Sequence, residues 1–591
     1  MEVNMWLIFL IISVALFLVC GGISIAYLTK RKLNLFSIFL ATGIFSSSFV
    51  MFLPIHISDG GVLRAIFLSF FNSMQIFAGG CDFLTSHDGF AFCSEYLTMY
   101  FQIWGAILFV LGFGFTFSFV LSLFKNLFAN IRYLLAYKKA VYIFSELNER
   151  SLVLAGDIKS KDPKAVIVFT DVFEENEESS FEMMEEAKNM RAICFKNDIL
   201  VAEFKRHSSK CSLYFFTIGK NETENLNQTL KLIERYKERE NTHMYLFSTN
   251  VESELLMSSV DKGKVKVRRI NEVRSLVNSL LYERGEIIFN SATDGSNGRK
   301  TVSAIVVGMG QHGTEMLKAL AWFGQMDGYD LVINAFDKDH LAEDKFVALA
   351  PELMSPAYNG VYVDGEAQYK IKIHSGIDVS TAKFADEIKK ISNASYVFVA
   401  LGNDDINVKT AVELRTYFER MKIKPIIQAV VYNSQQKQSL QGIKNFKGQE
   451  YRIDFIGDIE SSYAFDVIID SALEDDALQR HLKWGEEEEF WDYEYNYRSS
   501  IASAIHMRAR VKCGISGAGK RTEDLTREEK EGIESLEHRR WNAYMRAEGY
   551  IFSGSKEKSS RNDLGKMHHD LVDFASLTEE EKRKDSDIGA Q

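Results

Sequence analysis

Six consecutive residues carry the sharpest chemical signal in this sequence: Gly308, Met309, Gly310, Gln311, His312 and Gly313, directly after an apolar run at 302–307. A G-x-G-x-x-G turn that ends a strand and opens a helix is suited to hold a diphosphate. The first glycine permits the tight turn and the second lets backbone approach the phosphates. The third allows close packing, and the helix N-terminus attracts the anion. Asp337 ends the next strand candidate, 24 residues past Gly313, where a carboxylate can accept from ribose hydroxyls. Strand, turn, helix and acid in this order predict a nucleotide site on Gly308, Gly310, Gln311, His312, Gly313 and Asp337. No Tyr–Lys or His–Asp pair follows at the spacing of a dehydrogenase, so no catalytic residue is assigned and the chain is not read as an enzyme.

Other candidates are weaker. Residues 514–521 (GISGAGKR) nearly spell a Walker A loop, but Arg521 stands where Ser or Thr would bind magnesium, and a helical stretch precedes it. Arg539, Arg540, Trp541 and Tyr544 could clamp a base by stacking and hold phosphate through forked hydrogen bonds; Trp541 and Tyr544 could equally be core at helical spacing. His568 and His569 are read as neighbours on a helix, which point apart, and no cysteine accompanies them, so no metal is predicted. The carboxylate run at 486–489 reads as a solvated face.

These groups need elements to hold them. Strand candidates lie at 141–145, 165–170, 192–195, 213–218, 244–247 and 265–269. A second series lies at 302–307, 331–336, 370–374, 396–401 and 426–431. Strands at roughly 25-residue spacing with helices between them predict βαβ units in doubly wound parallel sheets. The two series are alike: residues 216–236 (FTIGKNETENLNQTLKLIERY) lie over 399–418 (VALGNDDINVKTAVELRTYF) with one inserted residue, a tandem duplication. The first copy has Ser145-Glu146-Leu147-Asn148-Glu149-Arg150 where the second has its glycines, although Asp171 keeps an acid at its second strand end. A diphosphate is not expected against Glu146, so the first copy is read as structural. The expected α/β domains are 140–290 and 300–458, followed by a mainly helical region at 460–591.

Upstream lies a different material. Residues 5–28, 35–53 and 101–124 are runs without a charge, each near the roughly 20 residues that cross a bilayer core as a helix. Lys30, Arg31 and Lys32 follow the first run, and Lys125, Arg132, Lys138 and Lys139 follow the third. The loop 56–98 has four acidic residues to one basic. By the positive-inside rule, the N-terminus and that loop lie outside an inner or plasma membrane and residues 125–591 are cytoplasmic. A cleaved signal peptide is disfavoured, because residues 1–4 carry no positive charge. The loop holds a further apolar stretch at 62–78, then Gly79, Gly80, Cys81 and Asp82. Span, short helix, glycine-rich turn, span is the order of tetrameric cation-channel pores; an amphipathic helix on the outer surface is the other reading. The Thr-Val-Gly-Tyr-Gly order of a potassium filter is absent. Cys81 and Cys93, both outside, could pair.

Charge and composition narrow the classes. The chain has 591 residues and a net charge of −11, and residues 1–125 are neutral, so the whole excess lies in 126–591. An acidic soluble part without a long basic run argues against a nucleic-acid partner. Six cysteines exclude a disulfide scaffold, and five prolines with no low-complexity tract exclude a long disordered linker.

The α/β region resembles the nucleotide-binding domains of potassium-transport regulators and channel gating rings, the regulator-of-conductance (Trk-type) family. The resemblance rests on residues 308–313, Asp337, Gly376-Ile377-Asp378, and Gly402-Asn403-Asp404-Asp405 followed by Asn407, and it covers 140–435 as two copies. It implies Rossmann-like domains binding NAD(H) or another adenine nucleotide, with Gly376, Asp378, Gly402, Asp404 and Asn407 joining the glycine turn. It also implies a homo-tetramer whose eight domains form a ring on the third span. Residues 536–550 and 566–585 resemble the ryanodine-receptor repeat in His538, Trp541, Glu548, Gly549, Tyr550, His568, Leu571, Phe574, Leu577, Glu580, Lys582 and Asp585. Asp570 or Asp573 stands where that repeat more often has proline. A second ligand site is then expected on Arg498, His538, Arg539, Arg540, Trp541, Tyr544 and His568, for a nucleotide second messenger in stress or antiviral defence. The expectation is a nucleotide-gated channel for an inorganic cation. The alternatives are a membrane-anchored nucleotide sensor without a pore, acting through oligomerisation or a partner, and, last, an NAD-dependent enzyme.

Overall fold

The structure is a computed structural model. It describes residues 2–29, 33–59, 61–80, 95–135, 140–172, 178–201, 204, 211–295, 298–363, 366–367 and 369–589. The chain divides into two units, Met1–Leu135 and Ala136–Gln591.

Among the described residues, the first unit has four helices: α1 (Glu2–Thr29), α2 (Leu33–Asp59), α3 (Val62–Ala78) and α4 (Glu95–Leu135). Three of them are long and apolar enough to cross a membrane, over Trp6–Tyr27, Phe36–Ile57 and Tyr96–Ser118. The second stretch runs beyond the expected 53, because Pro54 sits near the end of α2 without ending it. The third begins before the expected 101, in a helix that continues to Leu135. Polar groups hold the bundle where side chains are otherwise apolar. Ser13 and Ser47 donate to each other's backbone carbonyl, and the Trp104 indole donates to Ser13 Oγ. A Cβ at Gly43 would come 2.6 Å from the Cys20 Cβ, and one at Gly112 would come 2.6 Å from Ile76, so helices meet at small residues. Helix α3 buries Ala65, Ser69, Ser73 and Ile76 and exposes Leu63, Phe67, Phe70 and Phe71. At 17 residues it is about 25 Å long, short of the roughly 30 Å bilayer core. It stops at Gly79, in the left-handed region at φ 86°. Gly80 follows it, while Cys81, Asp82 and Cys93 lie outside the described residues.

The second unit opens with six parallel strands: β1 (Val141–Phe144), β2 (Val166–Phe169), β3 (Ile193–Cys194), β4 (Leu213–Thr217), β5 (Thr242–Phe247) and β6 (Lys266–Ile270). They are ordered β3-β2-β1-β4-β5-β6. A second sheet contains β7 (Thr293–Asp294), β8 (Lys300–Val307), β9 (Tyr329–Phe336), β10 (Lys370–His374), β11 (Tyr396–Val399), β12 (Ile426–Val430) and β13 (Ile453–Ile456). Its order is β10-β9-β8-β11-β12-β13, with β7 antiparallel on β8. Both are doubly wound, and each reverses direction between its first and fourth parallel strands, the switch point where α/β crevices open. Runs such as VYIF, VIVF and YVFV are buried throughout, as strands covered on both faces must be. Each strand candidate coincides with an observed strand to within two residues; the sixth parallel strand of the second sheet, β13, and the short antiparallel β7 have no counterpart among the candidates.

Helices α5 (Glu149–Lys161), α6 (Glu222–Tyr236) and α7 (Glu272–Arg284) belong to the first half. Helices α8 (Gln311–Phe323) and α9 (Asp404–Arg420) follow β8 and β11. The remainder is mainly helical: α10 (Ala472–His481), α11 (Glu494–Lys512), α12 (Arg527–Ala547) and α13 (Glu579–Gly589), with a two-strand pair formed by Ile551–Phe552 and Met567–His568. Packing does not break at the expected boundary near 458. One core runs from Val277 through β8, β9 and α8 to Ile505, Met545 and Leu571.

Candidate functional site

The glycine turn sits at the switch point of the second sheet. Gly308 has φ 94°, and a Cβ there would overlap the Ala400 carbonyl at the end of β11. At Gly313, a Cβ would overlap the Gly308 carbonyl. Gly310 differs: its φ of −68° suits any residue, and a Cβ there would meet nothing within 4 Å. It is the N-cap of α8, and no side chain caps the helix. The first N–H groups of α8 therefore begin at an exposed glycine with open space over it, the arrangement an anion requires.

Asp337 reaches this turn. Its carboxylate accepts from Met309 N–H at 2.6 Å and from Asp339 N–H at 2.7 Å. These bonds fix the turn and leave further lone pairs on the carboxylate for hydroxyl donors. His312 is half-buried, and the Tyr432 hydroxyl stands 3.1 Å from its Nε2; burial lowers the imidazole pKa. Tyr432, which follows β12, escapes a sequence reading because only the fold brings it to the turn. Gln311 is exposed on the first turn of α8, and Gly402, at φ 77°, is exposed after β11.

The remaining expected residues are spent on the fold. Asn407 is 1% exposed; its Oδ1 accepts from Leu401 N–H, and its Nδ2 donates to the Val430 carbonyl. Asp404 accepts from Tyr432 and Asn433 N–H groups, and Asp378 accepts from Ser380 in its own turn. Gly376, at φ 69°, lies against the His340 ring. These four order the loops around the crevice.

The seven residues expected at the second site divide. A cavity of about 680 Å³ is bounded by α10, α11, α12, α13 and the 558–570 loop, and His538, Arg540, Trp541 and His568 line it. They are joined by Trp484, Tyr495 and Arg480. Arg498, Arg539 and Tyr544 do not line it. Tyr544 is 5% exposed in the core, as its helical spacing allowed, and Arg539 pairs with Asp327 at 2.6 Å. Arg498 pairs with Glu254 and Glu548 in a buried ionic chain. That chain continues through Arg269, Glu494, Arg274, Lys318 and Glu315, so the first half, α8 and the C-terminal helices meet in it. Burial pushes Lys318 down to about 8, against the opposing pull of Glu315.

His568 and His569 are not neighbours on a helix, contrary to the sequence expectation. His568 ends a short strand and His569 begins the turn after it, and their rings stack at 4.7 Å. With Asp570, they place three ligand-type atoms within 4.8 Å of one another. His568 Nδ1, however, accepts from Asp570 N–H at 3.1 Å and is committed to the turn. Burial pushes His568 down to about 3, with Arg561 adding to the effect.

A search of protein-family models with this sequence finds no match, and a search of curated proteins finds none.

Proposed function

We propose that this chain is a nucleotide-gated ion channel, or a channel-like membrane effector, whose ligand binds at the glycine turn of the second α/β half. The observation that carries the reading is the open, uncapped start of α8 at Gly310, beside a carboxylate at the end of β9. NAD(H) or another adenine nucleotide suits it: backbone N–H groups would take the diphosphate and Asp337 a ribose hydroxyl. Three apolar helices supply the membrane part, with α3 and Gly79 as the candidate pore element, the N-terminus outside and residues 125–591 cytoplasmic. Four chains would form the ring, and an inorganic cation would pass.

Gating follows from differential affinity: a nucleotide that binds one state of the ring more tightly shifts the population toward it. The buried ionic chain from Glu315 and Lys318 of α8 to Glu548 and Arg498 gives that shift a physical route into the C-terminal helices. A role in stress or antiviral defence, in which opening depolarises the membrane, rests on the likeness of residues 536–585 to the ryanodine-receptor repeat. The test is ion flux in liposomes holding the purified full chain. Nucleotide-dependent flux, absent from Gly310→Val, is expected; silence with every adenine nucleotide from folded protein would remove the channel reading.

A further inference from the structure

One wall of the C-terminal cavity brings a histidine and two carboxylates together: His569 and Asp570 from the turn after Met567–His568, and Glu581 from the first turn of α13. His569 is 5% exposed, and neither of its ring nitrogens makes a hydrogen bond. Its ring lies flat on that of His568, and its Nε2 stands 3.4 Å from Asp570 Oδ2. The Glu581 carboxyl meets the Asp570 carboxyl at hydrogen-bonding distance. Glu581 Oε2 also accepts from Thr578 N–H at 3.1 Å, which fixes that carboxyl at the helix start.

Buried imidazole nitrogens are normally bonded, and two carboxylates in contact repel unless a proton or a cation lies between them. The neighbouring charges are matched elsewhere: His538 with Asp585 at 3.2 Å, Arg561 with Asp563 at 3.0 Å and Lys558 with Glu580 at 3.7 Å. Lys584 stands on the same wall, but it makes no bond to either His569 nitrogen. A zinc-type cation suits all three groups at once. Zinc bonds of about 2.0–2.2 Å set tetrahedral neighbours about 3.3–3.5 Å apart, the separation of His569 Nε2 from Asp570 Oδ2. His568 is not a ligand: its Nδ1 accepts from Asp570 N–H, so in the neutral ring the proton sits on Nε2.

We infer that His569 Nε2, Asp570 and Glu581 form a site for one divalent zinc-type ion. One imidazole with two carboxylates selects zinc and its neighbours over calcium and magnesium, which take oxygen ligands alone. Three protein ligands leave a fourth tetrahedral position, and it faces the cavity that all three residues line. The ligands come from two elements, so the ion ties α13 to the turn after Met567–His568. None of the three is among the residues of the ryanodine-receptor-repeat likeness, and the site does not depend on the Gly310 turn.

The test uses the full chain, freed of metal by chelation and titrated calorimetrically with zinc at neutral pH. Saturable binding of one zinc per chain is expected. His569→Ala and Glu581→Gln are each expected to weaken it more than tenfold, since residues that only orient metal ligands are already worth about 10- to 100-fold. Glu581 is partly exposed on α13, so its replacement keeps the test open if the His569 variant does not fold. No saturable zinc binding, or binding that neither substitution weakens, would overturn the site. Nucleotide plays no part in this titration, so its outcome is separate from that of the glycine turn.

Discussion

The two α/β halves share a strand order and treat the same corner of the sheet in opposite ways. In the second half, α8 starts at Gly310 with no side-chain cap and open space above it. In the first, α5 starts at Asn148, whose side chain accepts from Ser151 N–H while Ser151 Oγ accepts from Asn148 N–H, a closed capping box. Glu146 lies in the corner as well, its carboxylate accepting from Lys220 N–H at 3.2 Å. Burial raises the pKa of Asp171, with Asp198 and Glu146 contributing. One corner is an open, uncapped helix start; the other is capped by its own side chains and ringed by carboxylates. The two halves share the scaffold, and only the second leaves its helix start open.

What stays the same is as instructive. Asn225 and Asn407 are both 1% exposed and both bridge the loop after the fourth strand to the end of the fifth. Glu222 and Asp404 both accept from two backbone N–H groups in the loop after the fifth strand. A residue that does the same work in a half without a seat is a part of the scaffold. This is why Asn407 and Asp404 leave the list of ligand contacts.

The comparison can be broken most violently at Gly313. Gly313→Ala drives a Cβ into the Gly308 carbonyl and is expected to cost about 3 kcal/mol or more, visible as a large fall in thermal midpoint. Its counterpart by helix position, Ser151→Ala, is expected to cost about 1 kcal/mol, the worth of a cap. A Gly313→Ala chain as stable as the parent would mean that the turn is not built as described. Next, Asn225→Ala and Asn407→Ala are each expected to cost about 2 kcal/mol by stranding buried backbone groups. Similar losses, with NADH affinity unchanged in folded Asn407→Ala, would confirm their shared role; a selective affinity loss would return Asn407 to the site.

Gly310→Val sharpens the contrast without disturbing the fold. Its Cβ meets nothing within 4 Å, so the thermal midpoint is expected to hold while NADH affinity falls about tenfold or more. In the first half, Asn148→Gly is expected to create no NADH site, because Glu146 and Asp171 remain. The smallest effect is in acid. Burial raises the Glu222 pKa, but hydrogen bonds from Ser248, Thr249 and Asn250 outweigh it and hold the carboxyl below its ordinary value of 4.5. Its contribution is therefore present above that value and is lost as pH falls through the lower folded-state pKa. Glu222→Gln is expected to flatten the fall of the thermal midpoint below about pH 4.5; an unchanged acid limb would show that the carboxylate is not held in this way.

Sequence and structure agree where local pattern carries the information. The glycine turn is readable because Gly308 and Gly313 each report a backbone constraint within six residues, and the strands because buried parallel strands are short uninterrupted apolar runs. Strand β13 was missed because its four residues, IDFI, include an acid and lie between Arg452 and Gly457. The cavity was only half readable, since it draws on Arg480, Trp484, Tyr495, Arg540 and Arg561, which tertiary packing alone assembles. Within α12 the decisive information was the helix face. Glu537, Arg540 and Trp541 line the cavity at spacings of three and four, whereas Arg539 and Tyr544 turn to other neighbours.

The most direct test of the asymmetry between the halves is an experimental structure of the full chain with NADH added. Diphosphate density is expected over Gly310 at the start of α8, with the adenosine ribose beside Asp337 and no ligand beside Glu146. Dinucleotide at the first-half corner, or a second-half turn left empty by a ligand bound elsewhere, would contradict it.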